Sequence, residues 1–208
     1  MNMNRYIAAF LALVLVGSVG DAQKIYQWTD ENGQKQYSQR PPPEGVEAET
    51  RVLEHGKRVA LVPDGSVVAR VPDGWVAGSL QTPIPEASTL RLTPSDGSDG
   101  VMLVSVITPT RAADLPSADE VRLIAEVGAA KAQASSEEAQ LNPEAFEFGQ
   151  VRGYWFSASD RAPPPGEYKY MTQATGRVGD RVITLTALGQ QSKAATEDAA
   201  QALLAGIR

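Results

Sequence analysis

Six side chains between residues 154 and 168 carry the groups best suited to recognising or cutting a polar substrate: Tyr154, Phe156, Asp160, Arg161, Glu167 and Tyr168. If residues 146–158 form a strand, alternation puts Tyr154 and Phe156 on one face and Trp155 on the other. Asp160-Arg161-Ala162-Pro163-Pro164-Pro165-Gly166-Glu167 then reads as a proline-stiffened loop leading to Tyr168 and Tyr170. Rings edged by Asp160, Arg161 and Glu167 suit a glycan or a peptide bound in an aromatic groove. The paired acids also have the functional groups of a glycosidase, which needs two carboxyls roughly 5–9 Å apart. Spacing along the chain does not fix that separation. The plainer reading of the same residues, a two-sided core strand followed by a rigid loop, is the commoner fate of aromatics at strand spacing.

Other chemistries have little foothold. His55 is the single histidine, and it stands beside Glu54 in a stretch that reads as linker, without the ordered partners that a catalytic or metal role needs. A Ser-His-Asp triad would have to use that residue as its base. Asp96-Gly97-Ser98-Asp99-Gly100 clusters oxygens but lacks the alternating ligands and the bidentate Glu of a calcium loop, so a solvated turn is expected. There is no Gly-rich phosphate loop. The absence of cysteine removes disulfides, thiolate zinc sites and a Cys nucleophile. The sequence therefore predicts no catalytic residues, no cofactor and no metal site.

Composition and the start of the chain bear on compartment. With 208 residues, 42% hydrophobic, the chain is long enough for one main core plus a small module. A net charge of −6 argues against nucleic acid, which calls for a surplus of Lys and Arg on one face, and against adhesion to an anionic membrane surface. Arg5 followed by the apolar residues 6–16 and then Gly20-Asp21-Ala22 has the three parts of a cleavable secretory signal. The apolar run stops at Gly17-Ser18, short of the roughly 20 residues of a spanning helix. Cleavage after Ala22 is expected, giving a periplasmic protein with no stable membrane span after processing.

Behind the signal, residues 24–38 contain two short alternating runs separated by Asn32-Gly33, the strongest short hairpin signal, because a type I′ turn needs positive φ at both residues. With that turn, Trp28 is expected opposite Tyr37 and on the same face as Tyr26, a stripe of three rings. The stripe is either the mini-core of the module or a docking surface. Pro41-Pro42-Pro43 cannot extend a ladder and ends the module. The predicted organisation is a signal peptide over 1–22, an aromatic hairpin over 23–43, a mixed-charge linker over 44–59 and a main domain over 60–208.

Ile25-Tyr26-Gln27-Trp28-Thr29-Asp30-Glu31-Asn32-Gly33, then Tyr37-Ser38 and Arg40-Pro41-Pro42, resembles the bacterial domain-of-unknown-function family 4124, with its aromatic pair, Asp-x-x-Gly, Tyr-Ser and Arg-Pro behind a signal peptide. The resemblance implies a proteobacterial envelope protein. It brings no activity and no catalytic residues.

In the main domain, Val62-Pro63-Asp64-Gly65 and Val71-Pro72-Asp73-Gly74 are turn signals, with a short strand over 66–70 between them. Further strands are predicted over 90–93, 101–108, 146–158, 168–177 and 181–188, the last two joined as a hairpin by Val178-Gly179-Asp180. One helix is predicted from a capping box, Ser117 with Glu120, and carries Val121, Ile124, Ala125 and Gly128 on one face. A second is expected over 196–205, burying Ala199, Ala202, Leu203 and Leu204 and ending at Gly206. The fold class is therefore α+β, a mainly antiparallel sheet with two helices packed on it. The order, with Val71-Pro72-Asp73-Gly74-Trp75 at entry and Val182-Ile183-Thr184-Leu185-Thr186 near the end, is similar to the PsbP-like α/β sandwich. That likeness implies a binding or assembly fold and transfers no functional residue.

The reading that follows is an exported envelope protein acting without catalysis on a protein or cell-wall partner, through Tyr26, Trp28 and Tyr37 or through the 154–168 group. A carboxylate-dependent hydrolase of envelope glycans and a lipid carrier are the alternatives.

Overall fold

The computed structural model describes residues 58–208 together with the strand residues 26–29, 35–38 and 49–50. The three N-terminal segments are β1 (Tyr26–Thr29), β2 (Lys35–Ser38) and β3 (Glu49–Thr50), joined in the order β2-β1-β3. β1 and β2 are antiparallel, as expected, but in a different register: Tyr37 lies opposite Gln27 and Trp28 opposite Gln36. Five residues separate the paired ends Thr29 and Lys35, whereas a two-residue turn requires an even number. A one-residue slip moves a position to the other face of a ribbon, so position 37 does not share a face with positions 26 and 28. The pairing therefore differs from the one predicted for a two-residue turn. The signal segment, Asn32-Gly33, Pro41-Pro42-Pro43 and His55 lie outside the described residues.

The main body begins with β4 (Arg58–Ala60) and β5 (Val68–Arg70), a small antiparallel pair. A seven-stranded, wholly antiparallel sheet follows: β6 (Trp75–Ile84), β7 (Ala87–Pro94), β8 (Gly100–Ile107), β9 (Glu144–Phe148), β10 (Val151–Ser159), β11 (Tyr170–Val178) and β12 (Arg181–Gly189), in the order β6-β7-β8-β12-β11-β10-β9. Helices α1 (Ala118–Ala132) and α2 (Lys193–Ala205) complete an α+β fold. Among the described residues no helix is long and apolar enough to cross a membrane.

Turn chemistry decides where the strands stop. Both Val-Pro-Asp-Gly copies form turns, with φ of 70° at Gly65 and 82° at Gly74, values at which only glycine is unstrained. The predicted strand over 146–158 is two strands, because Gly149, at φ 58°, folds the chain back so that Val151 pairs with Phe148. β6 went unread in the sequence. Gly78 and Pro83 interrupt its alternation, and it survives as an edge strand with two register shifts against β7, where such residues are tolerated.

The two helices cover opposite faces. α2 packs on β10, β11 and β12 and seals the main core, where Leu92, Met102, Val104, Ile183 and Leu185 are enclosed with Leu203 and Leu204. Phe146, Phe148 and Trp155 extend this core as a ring cluster, with centroids 4.9 to 6.3 Å apart. β5 pairs with the chain end through Ala69 and Ile207, and the N–H groups of Val68 and Arg208 donate to each other's carbonyls at 3.0 and 2.9 Å. α1 lies over β10 and β11 on the other side, where Phe156 and Arg177 project and the Arg177 guanidinium donates to the Pro116 carbonyl at 3.2 Å.

α1 starts as the sequence predicts. The Glu120 N–H donates to the Ser117 hydroxyl at 3.3 Å, and the Ser117 N–H donates to the Glu120 carboxylate at 2.8 Å. It buries Val121, Ile124, Ala125, Gly128 and Ala129. α2 starts three residues earlier than expected, capped by Ser192, and buries Thr196, Ala200, Leu203 and Leu204. Ala202 is exposed and Ala199 half-buried: a helix starting at Lys193 presents its Thr196–Ala200–Leu203 stripe to the sheet, which turns Ala202 outward.

Candidate functional site

Six strands meet in one row at one end of the sheet. Trp75 pairs with Pro94, Gly100 with Gly189, Gly189 with Tyr170, and Tyr170 with Ser159. The loops leaving this row, residues 71–74, 95–99, 160–169 and 190–192, form one rim on a rigid scaffold, and loops so positioned carry a disproportionate share of binding residues.

The loop over 160–169 is held by a polar network that joins it to the segment after α1. The Glu137 N–H donates to the Ser159 carbonyl, and the Arg161 N–H to the Ser135 carbonyl, both at 2.8 Å. The Arg161 side chain donates to the Ser136 carbonyl at 2.7 Å. The Asp160 carboxylate accepts from the Ala162 N–H at 2.9 Å, and its carbonyl accepts from the Lys169 ammonium at 3.4 Å. Lys169 also pairs with Glu137 at 2.6 Å.

At the centre is Glu138. Its carboxylate accepts from the Ser136 hydroxyl at 2.5 Å, the Ser159 N–H at 2.9 Å and the Ser159 hydroxyl at 3.0 Å, and it pairs with the Lys193 ammonium at 3.1 Å. Burial opposes the charged form, but the Ser136, Ser159 and Lys193 donors outweigh it and hold the carboxyl down at about 2. Beneath it, Ser157, Thr172 and Thr196 form a hydroxyl chain with 2.9 Å links, closed by Thr196 donating to the Lys193 carbonyl at 2.8 Å. Gln190 ties the rim together: its amide nitrogen donates to the Glu167 carbonyl and its oxygen accepts from the Lys169 N–H at 3.3 Å.

The structure thus brings Asp160, Arg161, Glu167 and Tyr168 to the rim, but not Tyr154 and Phe156. Those two sit farther along β10 on the face covered by α1, where Phe156 is buried and Tyr154 half-buried. At about 3.4 Å per residue, Tyr154 is some 17 Å along the strand from Ser159. The six residues therefore do not line one groove. Trp155 does point to the opposite face, as alternation predicts, and belongs to the ring cluster. The side chains of Tyr26, Trp28 and Tyr37 lie outside the described residues. Sequence reading missed Ser136, Glu138, Gln190 and Lys193, and no local signal marks them: Glu138 meets Ser159 across 21 positions and Lys193 across 55.

Beside this network the rim holds a cavity of about 220 Å³, bounded by Trp75, the 95–99 turn and the start of α2. Asp96 and Ser98 shape that turn, the Ser98 N–H donating to the Asp96 carboxylate at 2.9 Å with Gly97 at φ 76°. This is the solvated turn the sequence predicts.

The family DUF4124, a domain of unknown function, matches residues 11–72, a stretch that takes in β1 to β5. No curated protein matches the chain. Among solved structures, a crystal structure from Bacteroides thetaiotaomicron VPI-5482 is similar with 12% identity and a TM-score of 0.46, over 74% of this chain and 48% of that one. The chain spans about half the length of that protein. The solution structure of cyanobacterial PsbP (CyanoP) from Synechocystis sp. PCC 6803 is similar with 14% identity and a TM-score of 0.43, over 93% of this chain and 98% of that one.

Proposed function

We propose that this chain is an exported envelope protein that works as a non-catalytic binding or assembly module for a protein or cell-wall partner. The observation that carries this reading is the rim network. Asp160, Arg161, Lys169 and Glu138 are engaged in holding loops together, so the rim is a fixed surface more than a proton relay. A general acid needs a carboxyl held near neutrality, and Glu138 moves the opposite way. The export signal expected over residues 1–22 supports the compartment.

The test is photocrosslinking in growing cells, with a photoreactive residue at Gln191 on the rim and, as control, at Asp180 in the turn at the opposite end of β12. Crosslinks to peptidoglycan or to one envelope protein from Gln191 alone are expected, on a chain whose mature N-terminus is Gln23. Crosslinks from neither position, or an unprocessed chain in the cytosol, would overturn the reading.

A further inference from the structure

The cavity at the rim adjoins the last row of the sheet. Gly100 and Gly189 pair directly across β8 and β12, and both face α2. A Cβ at Gly189 would lie 3.1 Å from the Thr196 methyl of that helix, and one at Gly100 would lie 3.1 Å from Pro94 and 3.5 Å from Trp75. The facing positions on the helix are Ala195 and Ala199. The preceding rung of the core is filled by Leu92, Met102 and Ala187, whereas at this last rung the two glycines let Thr196, Pro94 and Trp75 close in on the sheet. The cavity beside this row has an apolar wall, Trp75 and Pro94, and a mouth of carboxylates, amides and hydroxyls that includes Asp99, Gln190 and Gln191.

We propose that this cavity binds one neutral sugar ring of a glycan, stacked against Trp75 and hydrogen-bonded at the mouth. A sugar ring offers an apolar C–H face to an indole and a rim of hydroxyls that both donate and accept, the complement of this lining. The volume lies below the roughly 300–1,000 Å³ of sites for drug-sized ligands, which suits a single ring. An anion fits poorly. Asp96 and Asp99 stand at the mouth, and the Ala195 N–H at the start of α2 already donates to the Ser192 hydroxyl at 3.1 Å. No group of three or more acidic or histidine side chains among the described residues is placed to hold a metal ion. A wholly apolar ligand would desolvate the amides and carboxylates without giving them partners. This inference rests on the binding role proposed above and adds the class of ligand.

The test is a nuclear magnetic resonance titration of the whole protein, ¹⁵N-labelled, with N-acetylglucosamine and with glucose, and with inorganic phosphate and the dipeptide Ala-Ala as comparisons. Saturable shifts are expected from either sugar at the Trp75 indole N–H, Gly100, Gln190 and Gln191, and from neither comparison compound. Ala199→Leu, which fills the cavity from the helix without demands on the backbone, should weaken sugar binding at least about tenfold, and Trp75→Ala similarly, while Trp75→Phe restores part of it. Because Ala199→Leu adds apolar contact, it keeps the test informative should Trp75→Ala fail to fold. Absence of sugar shifts at these residues, equal shifts in Ala199→Leu, or the same shifts from phosphate or Ala-Ala would overturn the assignment. If sugars fail here while crosslinks from Gln191 persist, the envelope-binding role stands and only the sugar assignment falls.

Discussion

Replacing Glu138 by Gln probes the network at its centre. The substitution keeps size and an oxygen that can still accept from Ser159, but removes the charge that faces Lys193. The carboxyl is held at about 2, against an ordinary 4.5, and at 1.36 kcal/mol per decade that gap sets a ceiling of about 3 kcal/mol on its contribution to stability. The side chains of Glu138 and Lys193 are 22% and 41% exposed, so solvent screening lowers the expectation to about 1–2 kcal/mol. The folded-state pKa is depressed, so the contribution is fully present above about pH 4.5 and is lost as the pH falls through about 2. Urea unfolding of wild type and Glu138→Gln at pH 7, 5, 3.5 and 2.5 measures it. A difference of about 1–2 kcal/mol at pH 7 and 5, shrinking steadily below, is expected. A difference that is absent at pH 7, or that stays constant down to pH 2.5, would refute the assignment of the network's stability to an ionised Glu138.

Three further substitutions test the scaffold. Gly153→Ala would put a Cβ 2.1 Å from the Thr175 carbonyl oxygen and 2.5 Å from the Gly176 Cα, both backbone atoms that cannot step aside, so a loss of about 3 kcal/mol or more is expected, read as a lower Tm or as insoluble expression. Ser117→Ala removes the capping hydroxyl of α1 and should cost about 1 kcal/mol in urea unfolding, with Ser117→Asp recovering most of it. Trp155→Ala opens the ring cluster with Phe146 and Phe148 and should lower stability by about 3 kcal/mol, whereas Trp155→Phe should lose less than half of that.

Local rules account for much of this fold. The Ser117–Glu120 capping box, the two Val-Pro-Asp-Gly turns and the Val178-Gly179-Asp180 hairpin each depend on residues within four positions of one another, and each forms where the sequence predicts it. The differences from the predicted elements have different causes. The offset of β1 against β2 turns on a single residue of loop length, and β6 is defined by β7 pairing with it despite two bulges. The split at Gly149 was open to reading, since a glycine inside an apolar run is a turn signal as much as a bulge.

The sequence by itself determined the α+β class, the antiparallel hairpins, the start of α1 and the opposed faces of Tyr154 and Trp155, because chirality, side-chain alternation and capping act over a few residues. Only the tertiary structure decided that Glu138 is clasped by Ser159 and Lys193, that Asp160 and Arg161 serve as ties within a loop, and that Gly100 and Gly189 pair in the row beside the rim. These juxtapositions depend on strand order, which places β12 between β8 and β11. Strand order is fixed by the packing of the whole sheet against its helices, and residue spacing along the chain carries no record of it.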